Sequence, residues 1–171
     1  MSENWNREAG TKCSIVTYTN ADEVELLLNG KSLGVKKNLK DDAKMRNQIR
    51  WNDIAYAPGK LEAVGRTGGK VVSRHAVETT GKATKLAATP DNAAWKADGQ
   101  DLQHVTINAI DSKGRRVFGA DDKLTFTVEG DAQIVAVANG NITSNEGFAD
   151  TARQLWLGQA VVILRAGEKA S

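Results

Sequence analysis

Two pairs of adjacent carboxylates, Asp41-Asp42 and Asp121-Asp122, are the first residues of this chain whose types suggest acid–base chemistry. Two carboxylates that work together must flank one bond from either side, and one of them must stay protonated near neutral pH. Neighbours in a turn point apart and remain solvated, so both pairs read as turn acids. Asp121, Asp122 and Asp131 carry oxygens of the kind calcium takes, but no loop has the alternating Asp/Asn spacing of a calcium site. His75 and His104 fall on predicted strands without Cys or His partners, which leaves zinc no ligand set. Cys13 is the only cysteine. It opens an apolar strand with no activating base in reach of any motif, so it reads as a buried, inert thiol. No catalytic residue, metal ligand or cofactor is expected.

The tryptophans are the remaining binding candidates. A flat indole exposed on a sheet protein offers a platform for the C–H face of a sugar. Trp95 lies in the polar loop Asp91-Asn92-Ala93-Ala94-Trp95-Lys96 and is the carbohydrate-binding candidate, against packing on the end of its domain. Trp51 and Trp156 sit on apolar-alternating runs and read as core or module-interface residues. Trp5 precedes the first strand and is expected to be exposed.

These side chains are held by strands. Helical periodicity is nearly absent, and short alternating runs separated by turn residues fill the chain. Val24, Leu26 and Leu28 alternate with Glu23, Glu25 and Leu27, and Asn29-Gly30 follows, a pair that tolerates positive φ and predicts a hairpin into residues 31–37. Further strands are predicted at 13–19, 47–52, 60–67 and 70–79, with a Gly68-Gly69 hairpin turn and a reversal at Pro58-Gly59. Residues 38–46 read as an exposed loop with a short helical turn. A break at Thr80-Gly81-Lys82-Ala83 separates a second series at 83–89, 102–111, 115–118, 123–129, 132–138 and 155–165. The expectation is an all-β chain of two tandem immunoglobulin-like β-sandwiches, residues 1–81 and 82–171, the second lacking its last strand.

A net charge of +2 is too small for a polyanion-binding protein, and Lys36, Lys37 and Lys40 read as solvated. Neither a nucleic-acid nor a membrane partner is expected: no apolar run approaches the ~20 residues of a span, and no signal peptide is visible.

The order of several segments resembles the C-terminal, non-catalytic region of family 2 glycoside hydrolases of the β-galactosidase type. Trp5-Asn6-Arg7-Glu8 is similar to the stretch that leaves the catalytic barrel. Tyr18 to Gly34 is the closest match, and Arg50 to Leu61 is similar to the family's strand, Pro-Gly turn and next strand. Thr80 to Ala83 and Leu86 to Asp91 resemble the joint into a second module. Thr125-Phe126-Thr127-Val128-Glu129-Gly130 and Val137-Ala138-Asn139-Gly140-Asn141 resemble that module, which is also similar to bacterial invasin-type repeats. Asn145 stands before Glu146 where the family tends to have histidine.

The resemblance implies that the catalytic glutamates lie upstream, in a barrel this chain lacks. It implies no enzyme activity for the fragment itself. The expected role is structural: supporting the barrel and its assembly, with Trp5, Trp51 and Trp156 as interdomain or barrel contacts. Two other readings stay open, a carbohydrate-binding module using Trp95 and a surface adhesin repeat. Family habit places the parent in the periplasm or outside the cell.

Overall fold

The computed structural model describes residues 4–169. Its chain divides between Thr80 and Gly81 into two compact units. The elements are β1 (Lys12–Tyr18), β2 (Glu23–Leu28), β3 (Lys31–Lys37), β4 (Gln48–Ala55), β5 (Lys60–Thr67), β6 (Lys70–Glu78), β7 (Lys85–Pro90), β8 (Leu102–Ile110), β9 (Lys123–Thr125), β10 (Ala132–Ala138), β11 (Ala152–Gln154) and β12 (Gln159–Ala166). All pairings among them are antiparallel.

In the first unit a four-stranded sheet of order β3-β2-β5-β6 faces a two-stranded sheet, β1-β4. Val24 and Leu26 of β2 and Leu61 of β5 meet Ile49 and Trp51 of β4, with Trp5 in the same buried cluster. The predicted alternation of β2 is therefore the inward face of a sandwich, since successive strand residues point to opposite sides. Asn29 and Gly30 have φ of 52° and 78°, and Leu28 pairs with Lys31, the tight hairpin expected of that dipeptide. Asn29 also ties two turns together. Its Oδ1 accepts from the Lys60 amide at 2.8 Å, and its Nδ2 donates to the Pro58 carbonyl at 3.0 Å. Gly59, at φ 133°, passes so close that an added Cβ would lie 1.8 Å from that Oδ1. Only glycine fits there.

The second unit pairs a four-stranded sheet, β10-β12-β8-β7, with the short pair β11-β9. Ala109, Ala120, Leu155 and Ala160 are buried together, with Val117, Leu124 and Phe126 packed against them.

Three strand predictions change here. Residues 115–118 form no strand beyond one isolated bridge, Ile110 to Arg116: the turn at 112–114, held by Asp111, brings them back beside the end of β8. The run 123–129 is a strand only through Thr125. The run 155–165 is broken at Leu157-Gly158, whose φ values of 50° and 74° form a tight turn closed by reciprocal bonds between Trp156 and Gln159. At that turn the chain leaves the β9-β11 pair and enters the four-stranded sheet.

Candidate functional site

Of the acidic pairs, the Asp42 carboxylate takes a local structural role. Asp42 caps a single helical turn: its Oδ1 accepts from the Lys44 and Met45 amides at 2.8 and 3.2 Å, and its carbonyl accepts from the Arg46 amide at 2.8 Å. Asp131 receives the Lys169 amide at 2.8 Å, and the Asp122 carbonyl receives the Leu155 amide at 2.9 Å. Among the described residues no three His, Cys, Asp or Glu side chains gather as a metal site would require. His104 is exposed and lies 3.1 Å from Asp91, which also receives Gln103 Nε2. His75 is exposed on β6, and Cys13 is half-buried on β1 against the first unit's core.

Two of the four tryptophans, Trp5 and Trp156, are placed differently from their sequence reading. Trp5, expected to be exposed, is 2% exposed. Its ring packs edge-on against Tyr56 at 5.3 Å, and its Nε1 donates to the Ala57 carbonyl at 2.9 Å, so both its apolar body and its polar tip are satisfied inside the unit. Trp51 is equally buried, with Lys36 Nζ 4.9 Å from its ring centroid. Trp156, expected on a core strand, stands in the Leu157-Gly158 turn and is 43% exposed. Trp95 is 38% exposed, and its Nε1 donates to the Asp101 carbonyl at 3.1 Å. Its loop is braced by Asp98, which accepts from the Gln100 and Asp101 amides, and those bonds hold its carboxyl below the usual carboxylate range.

Two polar centres in the second unit escaped the sequence reading. Asp111 is buried and accepts from the amides of Gly81, Lys113 and Arg115, while Arg115 Nε and Nη2 approach the same carboxylate at 3.0 and 2.7 Å. The Arg115 hydrogen bond, with the amide donors behind it, holds this carboxyl far below its ordinary value of 3.8 despite the opposing effect of burial. The aspartate before a Lys-Gly turn was the available signal. Asp111→Asn is expected to lower the second unit's melting temperature by roughly 5–10 °C near neutral pH. Because the pKa is depressed in the fold, the stabilisation is complete above 3.8 and is lost as pH falls below it. Parent and variant should therefore keep their full gap down to about pH 4 and draw together as the pH falls further in thermal melts; a constant gap would refute the assignment.

The other centre is Arg153, only 1% exposed. Its Nη1 donates to the Glu146 carbonyl at 2.9 Å, its Nη2 donates to Asn139 Oδ1 at 3.1 Å, and Phe148 lies against the guanidinium at 5.1 Å. Glu146, noted only for the residue before it, thus organises the loop between β10 and β11, also accepting the Gln154 amide at 3.0 Å. These groups can brace a loop.

The family described as glycoside hydrolase family 2 C-terminal domain 5 matches residues 86–171, and a domain of unknown function, DUF4982, matches residues 10–73. A β-galactosidase of Bacteroides ovatus, BoGH2A, is 38% identical over 94% of this chain, which spans 18% of that protein. A β-glucuronidase of Formosa agariphila is 30% identical over 75% of the chain and 13% of its own length. The crystal structure of a glycosyl hydrolase family 2 member from Bacteroides cellulosilyticus superposes over 99% of the chain with a TM-score of 0.93 at 36% identity, using 23% of that structure. The chain thus spans less than a quarter of the length of these relatives.

Proposed function

The chain belongs to the glycoside hydrolase family 2 C-terminal domain 5 family, and from that premise we propose that it is an accessory region of a β-galactosidase-like enzyme, supporting the catalytic barrel and its assembly. The observation that carries this reading is the match itself, to the C-terminal, non-catalytic part of longer family 2 proteins. Trp156 in the second unit keeps 43% of its surface exposed and is the proposed contact for the barrel; Trp5 and Trp51 have spent theirs on their own core. The parent enzyme is proposed to work in the periplasm or outside the cell. The isolated chain is expected to leave an aryl galactoside unhydrolysed, and turnover lost on changing one of its carboxylates would overturn the reading.

A second reading rests on Trp95, whose indole is pinned at its nitrogen while part of its face stays open. In that case the region would bring its enzyme to a glycan. Under the accessory reading, a panel of mono- and oligosaccharides leaves the tryptophan emission of the chain unchanged. Saturable quenching that disappears in Trp95→Ala would replace scaffold by targeting module.

A further inference from the structure

Asparagine followed by glycine is a pair open to self-modification, because a glycine nitrogen, with no Cβ beside it, can attack the side-chain amide of the residue before it. This chain has two such pairs, Asn29-Gly30 and Asn139-Gly140. The fold treats them in opposite ways. Asn29 sends its side chain away from its own glycine, to another turn: Oδ1 accepts from the Lys60 amide at 2.8 Å and Nδ2 donates to the Pro58 carbonyl at 3.0 Å. Gly59 passes against its Cγ, where an added Cβ would lie at 2.6 Å, and the amide is held there.

Asn139, directly after β10, does the reverse. Its Oδ1 accepts from the amide of Asn141, two residues on, at 3.0 Å. That turn folds the side chain over the Gly140 peptide and brings Cγ toward the Gly140 nitrogen. Among the described residues the Gly140 amide makes no hydrogen bond, and Gly140 is exposed. The same Oδ1 also accepts from Arg153 Nη2 at 3.1 Å, and Arg153 is only 1% exposed. Two donors, one of them a desolvated guanidinium, thus point at the oxygen on which negative charge develops when a nucleophile adds to Cγ. That is the arrangement of an oxyanion hole. Nδ2 donates to the Gln154 carbonyl at 2.7 Å, which fixes the plane of the amide.

We propose that Asn139 is a covalent self-modification site of the native fold, reacting with Gly140, while Asn29 is protected from Gly30. The Gly140 nitrogen loses its proton to hydroxide and bonds to Asn139 Cγ. The bond from Cγ to Nδ2 breaks, and ammonia leaves with a proton from water. The cyclic imide then takes up a water: opening at Cγ gives an aspartate at this position, and opening at the main-chain carbonyl gives an isoaspartyl link. A water is consumed and an ammonia released, with no change of oxidation state. Either product sets a carboxylate in place of the amide beside Arg153 and strips the Gln154 carbonyl of its donor. The isoaspartyl product also lengthens the main chain by a methylene next to Trp156, since an added Cβ at Gly140 would already meet Trp156 Cδ1 at 3.4 Å. The reaction therefore alters, slowly and irreversibly, the base of the loop between β10 and β11 and the indole beside it.

The test holds the chain at mildly alkaline pH, folded and in urea, and follows both sites by mass-spectrometric peptide mapping after digestion in acid. In the folded chain Asn139 is expected to convert at least ~10-fold faster than Asn29. In urea, where both are plain Asn-Gly pairs, the two rates should come within about 3-fold of each other. Gly140 holds no positive φ, and its added Cβ would make ordinary contact, so Gly140→Ala should stay folded. Its methyl group crowds the attacking nitrogen and should slow Asn139 by ~10-fold or more. Arg153→Met, read where hydrogen exchange shows the second unit folded, should also slow Asn139, because the charged donor is gone. Asn29 matching or outpacing Asn139 in the fold would overturn the proposal. So would an Arg153→Met chain that reacts as fast as the parent or faster, which would make Arg153 a bystander or a shield. Either result leaves the accessory role standing, because that role is tested by hydrolysis.

Discussion

Trp5→Ala is expected to destabilise the first unit by about 3–5 kcal/mol, the range for emptying a large aromatic site in a core. The ring closes the cluster of Val24, Leu26, Ile49, Trp51 and Leu61, and the segment carrying it is pinned to Glu78, Thr79 and Thr80. Removal leaves a cavity and a stranded Ala57 carbonyl together. Trp5→Phe keeps most of the packing and loses one hydrogen bond, so it should cost much less, on the order of 1–2 kcal/mol. Two units need not unfold as one, so each must be followed separately, by peptide-resolved hydrogen exchange in urea. Equal behaviour of the Ala and Phe variants, or a loss shared by the second unit, would contradict this assignment.

The second large effect belongs to the other unit. Arg153→Met preserves the aliphatic stem but removes the donors to the Glu146 carbonyl and to Asn139 Oδ1, and the charge 3.5 Å from Glu146 Oε2. Breaking a buried charged centre of this kind costs roughly 3–5 kcal/mol. The loop between β10 and β11 should lose exchange protection first. Arg153→Lys should rescue little, because a single ammonium cannot reach acceptors arranged around a planar fork. Near-full stability of the Lys variant would show that charge alone, rather than the fork, holds the loop. Ile142, Phe148 and Trp156 are exposed on or beside this segment, so the same variant is also expected to weaken any contact the unit makes through them.

Much of the architecture was readable from local chemistry. Asn29-Gly30 and Gly68-Gly69 adopt positive φ and close the predicted hairpins, because tight turns demand conformations that few residues tolerate. Alternation in β2 announced an inward face, and Val24 and Leu26 are among the most buried residues. Where the reading failed, a hydrogen-bonded turn that residue type does not announce decided the outcome. Residues 115–118 carry strand-like residues, but Asp111 captures Arg115 through both amide and guanidinium, and the segment keeps only one isolated bridge. The apolar run around Trp156 reads as continuous, yet Leu157 accepts a left-handed φ of 50° so that the chain can change sheets.

The candidate site divides the same way. By itself the sequence determined the all-β class, most strand positions and the likeness to a non-catalytic family 2 region. Those properties reside in residue type and short spacing, which bonding geometry converts directly into turns, strands and motifs. The tertiary structure alone decided which tryptophans are buried and which acids are paired. Burial depends on what folds over a residue from elsewhere in the chain: Trp5 is hidden by residues 19 to 74 positions away.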